Sequence, residues 1–246
     1  MERRRVGAAL RGGGPTACWQ RSQMGLLFPM PAAPPQRSTC PPRAVPPLEN
    51  GEMLALPEFL RRYDVMPGVK KAELIEGIVS MPSPVRFIHA QPDGLVHLWL
   101  GTYAAAHGLE MLPNISLVLD TENCVQPDAI LCTPPRPGGR VWLNESGYLC
   151  GAPELVVEVA ASSGSLDLRD KWRVYRRQQV AEYLVWRTEE GEIDWFALEE
   201  GQYVKRTPDS RGRLASRVFP GLVLDVAAAL AGDKAAVLAA LREVAG

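Results

Sequence analysis

The run ELVVEVA at residues 154–160 constrains the fold more than any other stretch of this 246-residue chain. Side chains of a β-strand alternate between two faces, so Glu158 shares one face with Val156 and Ala160, and the apolar residues at odd positions share the other. Both faces are mostly apolar, which is typical of a central strand covered on both sides. An ionised carboxylate there costs roughly several kcal/mol unless a cation or strong donors meet it. The sequence therefore predicts a partner for Glu158.

The charge of the chain is divided unevenly. Residues 1–47 contain seven arginines and one acidic residue, Glu2, so this segment carries +6 although the whole chain carries −1. Residues 48–246 therefore carry −7. An acidic domain argues against a broad basic platform for nucleic acid, but it is compatible with a local basic face around an acidic metal site.

Proline content separates an extension from a domain. Residues 1–47 hold nine of the 22 prolines and show no apolar periodicity, so we expect a disordered N-terminal extension. A transit peptide, a basic arm and an upstream extension from a misplaced start codon are three open interpretations of this segment. We expect residues 48–246 to form one folded domain that ends in helices.

The cysteines and the apolar runs exclude two further classes. The five cysteines form no CxxC pair and no zinc-like spacing with the three histidines, which favours reduced thiols in a cytoplasmic protein. Every apolar run is interrupted by charge or proline before the ~20 residues that a membrane span requires. We therefore expect a cytoplasmic protein that does not enter a membrane.

Strand-like and helix-like patterns alternate along residues 57–246, which predicts an α/β fold. The hairpins are placed by alternation around short turns, and the C-terminal helices by their Ala and Leu content. The predicted order is a helix at 57–63, a hairpin at 72–82, a helix at 88–107, strands at 112–119, 125–132 and 153–160, a helix at 166–178, a strand at 180–187, a hairpin turning at Gly201, and two helices around Gly232.

The helix predicted at 166–178 offers a cation to Glu158. At 100° per residue, Lys171 lies at the edge of an inward stripe that includes Trp172 and Tyr175. One short loop separates the strand from this helix, so Lys171 can reach the pocket of Glu158. We interpret the two aromatic residues as core. The outward side carries four arginines that are the best local candidates for phosphate contacts, although a solvated helix face has the same pattern: Arg169, Arg173, Arg176 and Arg177.

A second carboxylate interrupts the apolar run VQPDAILC. Asp128 follows Pro127, whose missing N–H suggests a strand edge, a strand start or a bulge. Two carboxylates on adjacent strands, a lysine and the main-chain carbonyl of Val159 would make an oxygen-rich site suited to Mg²⁺, with Mn²⁺ as a substitute. Such a site can hydrolyse phosphodiesters. Without Asp128, a structural ion pair between Glu158 and Lys171 would be the simpler interpretation.

These positions resemble the PD-(D/E)xK nuclease superfamily, with Pro127 and Asp128 as its PD and Glu158 as its second acid. Ala160 stands where that motif has its lysine, so Lys171 takes this place from the following helix. One family is known for that displacement. The segments AELIEG, QPDAIL, APELVVEVAASS, DLRDKWRVY, AEYLVW and FPGLVLD are similar to those of the bacterial Uma-two family of putative restriction endonucleases.

The resemblance implies a restriction-endonuclease-like core, in which a central mixed β-sheet is flanked by helices. It implies Asp128 and Glu158 as metal ligands and Lys171 as the catalytic lysine. It also implies Glu73 as an additional active-site acid, whereas strand alternation alone does not separate Glu73 from Glu76.

Several positions depart from the family pattern or stay outside the predicted site. Residues 161–163 read Ala-Ser-Ser where the family commonly has Ser-Pro-Ser, and Arg187 stands where an aspartate often closes the next strand. His89 matches a histidine at the start of the family's first long helix, but we leave it outside the metal site.

The sequence predicts a Mg²⁺-dependent endonuclease that hydrolyses phosphodiester bonds of DNA. One alternative is a nuclease-fold protein without catalysis that serves as a nucleic-acid-binding or regulatory module. Another is the same hydrolase acting on RNA or on a particular DNA structure. A homodimer would suit cleavage of both strands of a symmetric site, and the sequence leaves the oligomeric state open.

Overall fold

A computed structural model of the chain describes residues 45–81, 87–161 and 166–244. The predicted disordered extension lies outside the described residues except for residues 45–47, so it stays a prediction. The helices are α1 (Leu56–Tyr63), α2 (Phe87–His107), α3 (Leu166–Arg177), α4 (Val226–Leu230) and α5 (Lys234–Val244). The strands are β1 (Glu73–Ile75), β2 (Ile78–Ser80), β3 (Glu110–Pro113), β4 (Leu117–Val118), β5 (Cys124–Val125), β6 (Ala129–Cys132), β7 (Val141–Leu143), β8 (Leu149–Gly151), β9 (Leu155–Ala160), β10 (Glu182–Arg187), β11 (Glu192–Glu199), β12 (Gln202–Lys205), β13 (Arg213–Ala215) and β14 (Val223–Asp225).

The sheet that carries Glu158 has six strands in the order β12-β11-β10-β9-β6-β3. Strands β9 and β10 run parallel, whereas the other neighbouring pairs are antiparallel, so the sheet is mixed. Strand β9 lies inside this sheet, and its residues 155–157 are fully buried. The prediction of an α/β fold with a central mixed sheet is confirmed.

Both faces of strand β9 are covered by apolar layers. Leu155 and Val157 pack in one cluster with helices α2, α4 and α5. Val156 packs on the opposite face with helix α3 and with a second six-stranded sheet, which has the order β2-β1-β5-β4-β8-β7. Burying each of these side chains contributes about 1.5–3 kcal/mol, so β9 is stabilised from both faces.

Two strand predictions are wrong in the same way. Residues 112–119 form β3 and β4 rather than one strand, and residues 125–132 form β5 and β6. In both cases the chain leaves one sheet and enters the other. Asn114 adopts a φ of 49° at the first break, and Pro127 lacks an N–H donor at the second. Side-chain alternation does not reveal such a change of partner strand, and the second sheet was therefore missed.

The remaining elements agree closely with the sequence patterns. The three predicted helices within residues 57–178 each end within one residue of their predicted limits, and the hairpin of β11 and β12 turns at Gly201 as predicted. The two terminal helices flank Gly232. The pairs β7–β8 and β13–β14 were not predicted. Within the described residues, no helix combines the length and apolar character needed to cross a bilayer.

Candidate active site

Three of the four predicted catalytic side chains meet beneath helix α3. Lys171 Nζ lies 2.8 Å from Glu73 Oε1 and 3.1 Å from Glu158 Oε1. Glu73 comes from β1 of the second sheet and Glu158 from β9 of the central sheet, so the lysine links the two sheets. The exposed fractions of the three side chains are 1% for Lys171, 1% for Glu73 and 6% for Glu158. The ion pairs are therefore almost completely removed from solvent, where Coulombic attraction is strong.

Asp128 joins this group from the break between β5 and β6. Its Oδ2 accepts a hydrogen bond of 2.7 Å from the Val159 backbone N–H, one residue beyond Glu158 on β9. The pairing of β6 with β9 ends where Ala129 faces Val157. The Asp128 carboxylate thus bonds to β9 directly beyond the end of the backbone ladder, and the irregularity expected at Pro-Asp places it there. Asp128 is 20% exposed, so it forms the solvent-facing part of the site.

A second lysine, Lys71, reaches the site and was missed by the sequence analysis. Its Nζ lies 3.4 Å from Asp128 Oδ1, and its side chain is 24% exposed. Lys71 precedes Glu73 by two residues, a spacing that places two side chains on the same face of an extended segment. That spacing was the signal available in the sequence.

Two buried hydrogen bonds hold the carboxylates of Glu73 and Glu158. The backbone N–H of Gln126 donates to Glu73 Oε1 at 2.5 Å, and the hydroxyl of Tyr175 donates to Glu158 Oε1 at 2.8 Å. Burial raises the pKa of Tyr175 well above its usual range, so the phenol stays a proton donor. Each carboxylate therefore receives a lysine and one neutral donor on the same oxygen.

His97 supports the backbone of Asp128 from helix α2. Its Nε2 lies 2.9 Å from the Asp128 carbonyl oxygen and 3.2 Å from Asp93 Oδ1. Because a carbonyl oxygen can only accept, Nε2 carries a proton. Burial raises the pKa of Asp93, and the neighbouring Asp128 adds to this effect, whereas His97 opposes it. No local sequence pattern distinguishes His97 from other helix residues, so this supporting contact was not predicted.

The surroundings of Glu158 favour its protonated form more strongly than water favours that of an exposed glutamate. Burial raises the pKa of Glu158 from 4.5 to about 7; Lys171 opposes this rise, and Asp128 adds to it. Burial and the charge of Lys171 lower the pKa of Lys71, but the carboxylates of Glu158, Glu73 and Asp128 outweigh them and raise it overall. Lys71 is therefore a permanent cation near neutral pH.

Comparison with known proteins assigns the chain to a family. The family Uma2, described as a putative restriction endonuclease, matches residues 56–227, which is more than half of the chain. The chain belongs to the Uma2 family. A similar solved structure is that of a putative nuclease belonging to DUF820 from Anabaena variabilis, with a TM-score of 0.58, 12% sequence identity, and coverage of 73% of this chain and 98% of that chain. The comparison with curated proteins gives no match.

The oxygen atoms of this Uma2 site are compatible with a hard divalent cation. Glu73 Oε2 is buried without a hydrogen-bond partner among the described residues, and both described donors to Glu158 contact Oε1, which leaves its Oε2 available. The Val159 N–H points to Asp128, and the carbonyl of an extended residue points to the same strand edge as its N–H. Carboxylate and carbonyl oxygens of this kind suit Mg²⁺ or Mn²⁺.

The side chains do not form a complete metal cage by themselves. Within the described ranges, no three His, Cys, Asp or Glu side chains are grouped so that they could hold a metal ion. The amino group of Lys171 lies between Glu73 and Glu158, and Lys71 lies beside Asp128. Any cation bound here would therefore rely on the Val159 carbonyl and solvent as well as on carboxylates.

Three other residues considered in the sequence have surroundings different from those of Glu73, Glu158 and Lys171. Glu76 lies exposed in the turn after β1 and pairs with Arg177 at 2.9 Å, whereas Glu73 is buried. His89 lies in the first turn of α2, two turns before His97. Arg187 forms ion pairs with acidic residues that follow it on the β10–β11 hairpin.

The aromatic residues of helix α3 differ in their burial. Tyr175 is fully buried, as predicted for a core residue, whereas Trp172 is half-buried and contacts the ring of Tyr203 edge-on at 5.7 Å. The core prediction therefore holds for Tyr175 and is incomplete for Trp172.

Proposed function

We propose that this protein is a Mg²⁺-dependent endonuclease, with Mn²⁺ as a substitute, that hydrolyses phosphodiester bonds of DNA. Asp128, Glu158 and the Val159 carbonyl are the proposed metal ligands, and Lys171 is the proposed catalytic lysine. The observation that carries the proposal is the meeting of Glu73, Glu158 and Lys171 inside a Uma2 domain with Asp128 at the solvent side.

A bound divalent cation would polarise the scissile phosphate and lower the pKa of a bound water. The contribution of Lys171 is positive charge fixed in a desolvated pocket, which stabilises the extra negative charge of the transition state. Its pairing with Glu73 and Glu158 fixes this charge in place before substrate binds. Glu73 completes the acidic pocket, and its bond to the Gln126 N–H orients it.

Substrate is expected to approach from the side of Asp128 and Lys71. These are the two partly exposed members of the site, whereas Lys171, Glu73 and Glu158 are almost inaccessible. A phosphate that reaches Asp128 therefore meets the Lys71 ammonium first. This contact offsets the repulsion between an anionic substrate and an acidic pocket.

The test is cleavage of supercoiled, linear and single-stranded DNA by the full chain with Mg²⁺ or Mn²⁺. Glu158→Gln removes the proposed ligand charge and is expected to abolish cleavage. Glu154→Gln is the matched control, because Glu154 is also buried beside β9 but bonds to Thr133 rather than to the site. Cleavage that is unchanged in Glu158→Gln would refute the proposal.

A second candidate is a nuclease-fold protein without catalysis that binds nucleic acid or regulates a partner. It is favoured by one observation, because the amino group of Lys171 already satisfies both Glu73 and Glu158 as a structural ion pair would. DNA binding by a folded wild-type protein that cuts no substrate with either cation would select this candidate. An RNA panel in the same assay addresses the choice of nucleic acid.

A further inference from the structure

A groove of about 760 Å³ lies between helix α3 and strands β10 and β11, and its lining does not include Lys171 or Glu158. Its floor is the surface of strands β10 and β11, formed by Tyr183, Val185 and Phe196, and Trp172 forms part of its helical wall. Pockets of this size with an apolar, aromatic lining and a few polar groups are typical of small-molecule and nucleotide sites. The proposed chemistry at Glu158 does not use this groove.

The groove lies on the same face of the central sheet as the candidate active site. Val185 is the registered neighbour of Glu158 across the parallel pair β9–β10, and Asp194 is the neighbour of Val185 on β11. Adjacent strands are about 5 Å apart, so the groove floor begins one strand away from the catalytic carboxylate. Helix α3 supplies Lys171 to the site and Trp172 to the groove. The groove and the site therefore lie side by side on one face of the sheet.

Trp172 is held as a fixed aromatic wall. The guanidinium of Arg176 lies 4.9 Å from its ring centroid, and Tyr203 packs against it edge-on at 5.7 Å. A ring restrained by two neighbours loses little side-chain entropy when a planar ligand stacks on it. Phe196 on the floor offers a second aromatic surface, 6.2 Å from Tyr203 by ring centroids.

Arg187 is an ion-paired residue at one end of the groove. Its terminal nitrogens pair with Glu190, Glu192 and Asp194, which fix the plane of the guanidinium. Its Nε is buried and has no hydrogen-bond partner among the described residues. Because this Nε is buried and the terminal nitrogens are paired with carboxylates, Arg187 closes one end of the groove and does not contact a bound base.

Two exposed arginines at the rim suit the phosphates on either side of a bound base. Arg169 and Arg173 line the groove on helix α3, and Arg173 also pairs with Asp170. The groove therefore combines an aromatic floor and wall with basic side chains at its edge, alongside the ion-paired residues Asp170, Arg187 and Asp194. An unstacked nucleotide is complementary to the aromatic surfaces and the basic edge, because it has an uncharged planar ring and anionic phosphates.

We propose that the groove between helix α3 and strands β10–β11 binds one unstacked base of a nucleic-acid substrate, with Trp172 as its stacking partner and Arg169 and Arg173 beside the flanking phosphates. The inference rests on the proposed function, since it takes nucleic acid as the ligand. It narrows the substrate class to strands that can present an unpaired base near the cleaved bond, such as bulged, gapped or single-stranded segments.

The test compares two DNA duplexes of equal length, one fully paired and one with a single bulged 2-aminopurine, bound by the full chain without divalent cation. Because the two duplexes carry nearly the same number of phosphates, their non-specific electrostatic affinities are nearly equal, and the comparison isolates the contribution of the unpaired base. We expect the bulged duplex to bind about fivefold to a hundredfold more tightly. This range corresponds to the affinity that stacking of one base on an aromatic side chain contributes in single-strand binding proteins. The fluorescence of the bulged base should change on binding.

Trp172→Leu should bring the two affinities to within about twofold of each other, because it removes the stacking surface. Trp142→Leu is the matched control, since Trp142 is 42% exposed on β7 of the other sheet. Arg169→Gln changes only an exposed side chain, so it tests the rim without risk to folding, and it should weaken binding of the bulged duplex about threefold. Equal affinity of the wild type for both duplexes, or a preference that survives in folded Trp172→Leu, would overturn the inference.

These outcomes are distinguishable from failure of the proposed nuclease. A preference for the bulged duplex that depends on Trp172, in a protein that cuts no DNA with any divalent cation, would support the groove and refute the nuclease. Cleavage that depends on Glu158, without any preference for an unpaired base, would overturn the groove and leave the nuclease in place.

Discussion

Lys171 and Glu73 form a buried ion pair of 2.8 Å between helix α3 and the second sheet, and the same lysine lies 3.1 Å from Glu158. Two carboxylates of different sheets thus share one cation inside the protein. Because a buried charge without its partner is far more costly than an exposed one, substitutions that break this contact should be strongly destabilising.

Lys171→Met should lower the free energy of unfolding by about 3–5 kcal/mol at pH 8, because Glu73 and Glu158 lose their shared cation. The loss should be smaller at pH 5, where the carboxylates can take up protons. Urea unfolding at both pH values measures the effect. Lys234→Met, at an exposed position that begins α5, is the control and should change stability little. An equal loss at both pH values would contradict this explanation.

The raised pKa of Glu158 should make stability depend on pH in a defined direction. The pKa of this carboxyl group is 4.5 in the unfolded chain and about 7 in the folded protein. Its contribution to the stability of the fold is therefore fully present below pH 4.5 and is lost as the pH rises to about 7. The full change is up to about 3 kcal/mol at 1.36 kcal/mol per pKa unit. Glu158→Gln cannot ionise, so the stability of the variant relative to wild type should rise across this range and then level off. A difference that is independent of pH would count against a buried, titrating Glu158.

Lys71→Met should tighten Mn²⁺ binding at the proposed site, because Lys71 Nζ lies 3.4 Å from Asp128 Oδ1 and repels an incoming cation. The concentration of Mn²⁺ for half-saturation should fall about three- to tenfold, since one partly exposed charge at this range contributes about 1 kcal/mol. Isothermal titration calorimetry provides the measurement. Lys70→Met removes an exposed lysine next to it and should leave binding unchanged. Equal affinities of both variants would place the cation away from Asp128.

Gly151→Ala should destabilise the second sheet much more than Gly147→Ala. Gly151 has a φ of 98°, and an added Cβ would lie 2.2 Å from the Arg140 carbonyl oxygen. Gly147 has a φ of 81° but open space around its Cβ position. We expect a loss of about 1–2 kcal/mol for Gly147→Ala from backbone strain alone and about 3 kcal/mol or more for Gly151→Ala. Thermal unfolding of both variants checks this, and equal losses would show that steric contact is not the cause.

The sequence predicted the parts of the site that depend on local periodicity. Alternation in residues 154–160 identified a strand covered on both faces, and helical spacing directed Lys171 toward Glu158; both agree with the structure. Local patterns could not choose between Glu73 and Glu76, because both belong to one hairpin. The choice depends on which side of β1 faces helix α3, and that is a property of the packed sheets. The resemblance to the family favoured Glu73, and the structure places this residue beside Lys171.

The parts that were missed depend on contacts between distant segments. A change of sheet at Asn114 and another between residues 125 and 129 leave side-chain alternation nearly intact, so the second sheet had no signature in the pattern. Lys71 and His97 reach Asp128 only because β1 and α2 pack beside the break before β6. The metal ligands, the cation and the substrate remain predictions that the measurements above address.

The division of the site between two sheets has a consequence for the order of folding. Glu73 is supplied by one sheet and Glu158 by the other, while Asp128 lies at a point where the chain crosses between them. A folding intermediate with a single formed sheet would hold at most part of this acidic cluster. Assembly of the proposed catalytic groups therefore requires both sheets to be docked, and a partly folded chain with one sheet would not present the complete cluster.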